Sequence, residues 1–299
     1  MTTDIRRGTI EMTAAMLISG TIGWFVLVSG QPVENVVFWR CAFGMVALLA
    51  ICAALGYLKP GMITGRQLGI AVLGGIAIVS NWLLLFAAYP KSSISIATTV
   101  YNTQPFMLLG LGALFLGEKI TVEKLAWLAL AFAGMLLIVQ AKPGGNIAGS
   151  DYAIGVVLAL GAAFFYALAA FAAKWLKGVP PHLVALIHVV TGVVMLAPFA
   201  NFQMLPQDAQ AWSLLATMGF VHTGLMYILL YGAIQRLPTH LTGALSFIYP
   251  VASIVVDRLA FGHLLQPSQI TGMALIFAAV AGMNFGLKLW RATRPTPSS

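Results

Sequence analysis

Charge is what this sequence has least of. Asp and Glu together number 8 among 299 residues, and all charged residues make up 8% of the chain, against about a quarter in a soluble domain. With 60% of residues hydrophobic, no aqueous core of this size could hide the apolar surface, so lipid must be the solvent for much of it. Cysteine is almost absent as well. Cys41 and Cys52 lie eleven residues apart in one apolar run, about 16 Å along a straight helix. That is too far for a disulfide within the chain, and both read as inert core residues. Catalytic signatures are missing: there is no Gly-x-Ser-x-Gly, no phosphate loop and no His/Cys/carboxylate cluster at metal-ligand spacing. The expectation is therefore no enzyme, no cofactor and no metal. The net charge of +8 does not point to nucleic acid, because its basic residues stand singly between apolar runs. That pattern suits loops beside anionic lipid headgroups.

What the chain has is apolar length. Broken at polar, Pro and Gly clusters, it leaves ten stretches near 8–28, 33–56, 67–89, 93–116, 122–140, 152–174, 182–200, 211–235, 239–261 and 268–289. Each is long enough to cross about 30 Å of hydrocarbon. Arg6-Arg7 ahead of the first run resembles an export signal. The run from Gly8 to Val28 is longer than a signal core and has no evident cleavage site, so a retained first span is expected. If the N-terminus is cytoplasmic, inner span ends collect Arg6, Arg7, Lys59, Arg66, Lys119, Lys124, Lys174, Lys177, Arg236, Lys288, Arg291 and Arg294. Outer ends hold only Arg40, Lys91, Lys142 and Arg258. Twelve against four is a strong positive-inside bias and puts both termini in the cytoplasm. Trp127, Trp175, Trp212 and Trp290 lie near span ends and read as interfacial belt residues.

The chain also repeats itself at a spacing of 145 residues. Leu84, Leu85, Ala88, Lys91, Pro105 and Gly117 return as Leu229, Leu230, Ala233, Arg236, Pro250 and Gly262. Pro105 lies in span four and Pro250 in span nine, an odd separation, so the two halves run in opposite directions across the bilayer. Inverted halves suit a carrier that exchanges their conformations to open on alternate sides. The expected architecture is all-α: ten transmembrane helices in two inverted five-helix repeats, 1–145 and 146–290, with a cytoplasmic tail at 291–299. Ten spans, two halves, and Leu116-Gly117-Glu118-Lys119-Ile120-Thr121 closing span four resemble the drug/metabolite transporter superfamily, EamA type. In overall character the chain is similar within it to the bacterial aromatic amino-acid exporters of the YddG type. The second copy of the motif is degraded to Phe261-Gly262-His263-Leu264, so a role for the acidic residue is not duplicated.

Polar groups inside a bilayer are costly unless they face a cavity or a partner helix. Span four carries the densest set, with Thr98, Tyr101, Asn102 and Pro105 on one face and Gln104 beside them. Pro105 cannot donate to the carbonyl of Tyr101. Span nine mirrors this with Thr242, Ser246, Tyr249, Ser253 and Asp257 beside Pro250. The two faces read as either a substrate cavity between broken helices or ordinary interhelical hydrogen bonding. Asn81 and Trp82 in span three, Tyr166 in span six, and His222 and Tyr227 in span eight complete the candidate wall. Trp and Tyr with a few amides suit a flat apolar moiety with a polar head, or an organic cation. Glu11 is a candidate proton-coupling carboxylate or a partner of Arg6 or Arg7. Arg40 and Asp257-Arg258 lie toward the outside in spans two and nine, and a pair such as Arg40 with Asp257 is a candidate outer latch, or a purely structural pair. His188 reads as a hydrogen-bonded core residue.

These readings converge on a carrier of the bacterial inner membrane that exports amino acids, aromatic and neutral hydrophobic ones first, with Met and Thr as further candidates. The alternative is a proton-coupled exporter of cationic drugs or other small metabolites. The expected partners are a small-molecule substrate and membrane lipids, without nucleic acid, in a protein that works as a monomer.

Overall fold

The computed structural model describes residues 3–92, 97, 100–140, 150–202, 205–206, 208–261 and 266–288. All elements among the described residues are helical. They are α1 (Thr3–Ser19), α2 (Ile22–Ser29), α3 (Val33–Ala54), α4 (Gly65–Ser92), α5 (Gln104–Leu116), α6 (Val122–Gln140) and α7 (Ser150–Trp175). α8 (Pro181–Leu196) and α9 (Ala209–Thr217) follow. A π-helical stretch, Met218–Leu225, joins α9 to α10 (Met226–Arg236), after which come α11 (Thr239–Ser246), α12 (Ile248–Phe261) and α13 (Pro267–Phe285). Among the described residues five stretches, Thr3–Val26, Val33–Ala54, Gly65–Ala88, Ala153–Trp175 and Ala209–Arg236, are long and apolar enough to cross a membrane. Shorter apolar helices lie beside them at Gln104–Leu116, Pro181–Leu196 and Pro267–Met283.

Local chemistry sets the helix ends. α8, α11 and α13 begin at prolines, where the missing N–H would have had no intrahelical partner. The carboxylate of Asp208 caps α9 by accepting from the Ala211 amide at 2.6 Å. α5 ends at Gly117, whose φ of +65° only glycine adopts without strain, and the Glu118 amide turns back to the Gly112 carbonyl at 3.2 Å.

Three interruptions lie where apolar runs would otherwise carry a helix straight through. α1 gives way to α2 at Gly20-Thr21, a turn at Asn102-Thr103 precedes α5, and Phe247 separates α11 from α12. Each is repaired alike. The amides of Thr21, Thr103 and Phe247 bond the carbonyls three residues back, those of Ile18, Val100 and Ala244, at 3.1, 3.1 and 3.2 Å. The second and third interruptions are 145 residues apart, like the prolines that cause them. Pro105 and Pro250 have no N–H for the carbonyls of Tyr101 and Ser246.

Small residues let the helices approach. α4 packs along α7, α6 along α13, α1 along α10, and α3 against both α8 and the π stretch. At the last contact, a Cβ on Gly219 would meet the Phe43 Cβ at 2.2 Å, and one on Gly44 would meet Thr223 at 2.7 Å. At the α6–α13 contact Trp127 lies on Gly282, where a Cβ would meet its ring at 2.4 Å, and its Nε1 donates to the Leu287 carbonyl at 3.2 Å. Gly282 thus serves a contact within the chain. Gly219→Ala is expected to lower the stability of the purified protein by about 1–3 kcal/mol through overpacking. Gly110→Ala, with open space around its Cβ position, should be neutral or stabilising by about 0.5–1 kcal/mol. Thermal unfolding in one detergent checks both, and equal melting temperatures would refute the packing argument.

Candidate functional site

The interruptions surround a cavity. It is lined by Met16, Ser19 and Ile22 at the first, Asn102 and Gln104 at the second, Ser246 and Tyr249 at the third, and Met226 where the π stretch ends. Water-molecule centres can range over about 100 Å³ within it, room for several waters or a small solute. Five pairs of lining residues stand 145 positions apart: Asn81 and Met226, Trp82 and Tyr227, Leu85 and Leu230, Tyr101 and Ser246, Gln104 and Tyr249. The two copies therefore contribute matching positions to one chamber. They also touch directly across it, where Gln104 Nε2 donates to Ser246 Oγ at 3.2 Å and Ser246 in turn donates to the Gly243 carbonyl at 2.7 Å.

The wall is largely aromatic and apolar. Trp82 meets Tyr227 edge to face at 5.7 Å, and Tyr101 meets Tyr166 at 6.0 Å, geometries that aromatic pairs favour. Asn81 is buried and anchored, its Nδ2 donating to the Ala162 carbonyl at 2.8 Å. Arg40 is the largest of the fully buried side chains and also lines the cavity. Its guanidinium lies over the Trp82 ring at 4.2 Å, and its Nε donates to Thr223 Oγ1 at 3.1 Å.

Nine sequence candidates thus come together around one chamber: Asn81, Trp82, Tyr101, Asn102, Gln104, Tyr166, Tyr227, Ser246 and Tyr249. His222 is not among the lining residues. It exchanges a 2.6 Å hydrogen bond with Thr21 Oγ1 and packs against Phe25. Thr98 lies outside the described residues, as do the side chains of Asp257 and Arg258. Arg40 enters α3 seven residues after Val33, about 10 Å along the axis, and is a cavity residue as well as a latch candidate. Sequence reasoning did not pick out Met226 or Leu230 as wall residues, although adding 145 to Asn81 and Leu85 finds both. His188 bonds the Tyr231 hydroxyl at 2.6 Å.

Two ion pairs tie the halves together away from the cavity. Glu11 accepts from Arg236 at 2.7 Å and from Arg7 at 2.9 Å, with Gly232 leaving room where a Cβ would lie 2.9 Å from its carboxylate. Glu118, released from α5 by the turn at Gly117, reaches Lys174 at 3.2 Å. It also accepts from the Thr239 amide at 3.1 Å and from the Thr239 hydroxyl. A carboxylate at the start of α11 is favoured further by the helix dipole. Burial works against ionisation of Glu118. The Thr239 hydrogen bonds and the Lys174 ammonium outweigh it and hold the carboxyl below the usual carboxylate range.

Residues 6–140 and 153–285 each match the EamA-like transporter family. An uncharacterized transporter, YxxF, of Bacillus subtilis is 29% identical over 91% of this chain and 88% of its own length. Protein RarD of Escherichia coli is 24% identical over 92% and 93%. A probable amino-acid metabolite efflux pump of Salmonella typhimurium is 28% identical over 67% and 70%. One crystal structure, 19% identical, superimposes with a TM-score of 0.81 over 98% of each chain, a likeness of fold.

Glu118→Gln should lower stability at neutral pH by about 1–3 kcal/mol, the worth of hydrogen bonds to a charged group. Because the folded pKa lies below the unfolded value of about 4.3, this contribution is complete above that pH. It fades as the pH falls through the folded pKa. Melting temperatures of the two proteins should therefore differ at pH 7 and converge on acidification below about pH 4. A gap independent of pH would show that the carboxylate charge is not what matters.

Proposed function

The chain belongs to the EamA-like transporter family, and on that premise we propose that it exports amino acids by alternating access, aromatic and neutral hydrophobic ones first. It does so as a monomer in the bacterial inner membrane, through ten spans in two inverted halves with both termini in the cytoplasm. The observation that carries the reading is a cavity lined by pairs of residues 145 positions apart and ringed by helix interruptions. A chamber shared by two related halves is what a carrier needs, since each half can close one access route in turn. Its Trp and Tyr faces, with amide and hydroxyl groups between them, match a flat apolar moiety joined to a polar head. The positive-inside count supports the orientation. The Salmonella relative, a probable amino-acid metabolite efflux pump, agrees with the substrate class.

The test is counterflow in proteoliposomes with labelled Phe, Trp, Tyr, Met, Thr and tetraethylammonium. Saturable counterflow of the aromatic amino acids is expected. Movement of the cation alone would overturn the substrate assignment in favour of a cationic-drug exporter. Uptake that neither saturates nor shows counterflow would overturn the carrier reading.

A further inference from the structure

The carrier reading leaves one group in the cavity without a role. A guanidinium cannot shed its charge in a protein, and taking one out of water costs several kcal/mol unless an anion and hydrogen bonds compensate. At Arg40 the compensation is partial. The Trp82 face and the Thr223 oxygen are both neutral partners, and Nη2 has no hydrogen-bond partner. No carboxylate pairs with Arg40 among the described residues. The described lining residues contain no Asp or Glu, so the formal charge of the chamber is positive.

The arrangement is held in place from both sides. In the π stretch Thr223 Oγ1 donates to the Met218 carbonyl five residues back at 3.0 Å. That commits its proton and leaves a lone pair for Arg40. Gly44 and Gly219 permit the close approach of α3 that brings the two together. A cation serving only to pack helices would spend its donors on fixed acceptors. Lys174 does so, bonding the Leu237 carbonyl and Glu118. Arg40, a lining residue of the chamber, instead keeps the Nη2 donor of its planar fork uncommitted and enclosed among its neighbours. It also breaks the symmetry of the repeat, since the position 145 residues on is Ala185. Duplication explains the paired wall but not this charge.

We infer that Arg40 is the anion-recognition point of the cavity: it receives the carboxylate of the substrate while the aromatic wall takes the apolar part. The inference rests on the carrier reading and narrows it. The solutes moved are carboxylates with a compact apolar group, and organic cations that lack a carboxylate are rejected. A carboxylate presents the two oxygens that suit a guanidinium fork, and its arrival supplies the missing negative charge in a site of low dielectric.

The experiment is competition against labelled L-phenylalanine counterflow by unlabelled L-phenylalanine, 3-phenylpropionate, L-phenylalaninamide and phenethylamine. It is paired with thermal stabilisation of the purified protein by the same four compounds. In the wild type the two carboxylates should compete about 10- to 100-fold better than the amide and the amine, the worth of a hydrogen bond to a charged group. Arg40→Gln should bring that ratio close to one. Arg40→Lys, which keeps the charge but loses the fork, should fall between. A wild type that treats acid and amide alike overturns the inference even where Arg40→Gln does not fold. So does Arg40→Gln if it folds and keeps the full preference. In both cases counterflow persists and the carrier reading stands. Absence of counterflow and of stabilisation with all four compounds would remove that reading, and this one with it.

Discussion

A backbone amide inside a bilayer has no water to fall back on, so every interruption of a helix there must be repaired on the spot or face a wet chamber. The rest of this molecule follows from that constraint. Apolar runs become helices because only helices satisfy their own backbone in lipid. The interruptions near Gly20, Asn102 and Phe247 each fold back onto the carbonyl three residues earlier, and the π stretch spreads its bonds over five residues. All four irregularities border the same cavity. Their clustering is the expected consequence of the constraint, because there a free carbonyl can find a polar neighbour or a solute.

The interruptions also explain how two halves can share one chamber. A straight helix through the middle of the bundle would fill it with side chains from one face. Pro105 and Pro250 end that continuity at equivalent positions, so α5 and α12 begin at the chamber and the polar residues just before and after them face inward. Gln104 of the first copy and Ser246 of the second then meet at the chamber. Their hydrogen bond is a direct link between the copies. At 3.2 Å between neutral groups, it is weak enough to be exchanged for water or a ligand.

Much of this was legible from residue spacing. The prolines, the amide and hydroxyl cluster around Tyr101, and the 145-residue register were enough to bring nine residues to one cavity. The parts that were not legible arise from packing. The π stretch has no periodic signature; it forms where Gly219 and Gly44 let two helices press together. Nothing in the run Ser19-Gly20-Thr21 distinguishes a helix break from an uninterrupted span until Ala252 is found against Gly20. Arg40 was misleading for a different reason. Counted among loop charges, it belongs to a span end, whereas α3 carries it about 10 Å along its axis from Val33 and into the wall of the cavity. Charge counting assigns a residue to a side but has no measure of depth.

Inversion of a duplicate exchanges shapes, but it does not exchange charges. The ties that join the halves away from the cavity run from Glu11 to Arg236 and from Glu118 to Lys174 and Thr239. Adding 145 to Glu11 and Glu118 gives Val156 and His263, so neither carboxylate has an acidic copy. In the proposed cycle the two end states are therefore related in outline but unequal in energy. A state that keeps these hydrogen-bonded ion pairs has no equivalent formed from the positions 145 residues away. Exposed ion pairs contribute little, about 0–1 kcal/mol each. Both carboxylates here are partly buried, and Glu118 is met by an amide, a hydroxyl and an ammonium together. A bias of that kind sets which side stands open when no solute is bound. A solute that engages Arg40 brings a negative charge to the shared chamber, and so has the means to work against it.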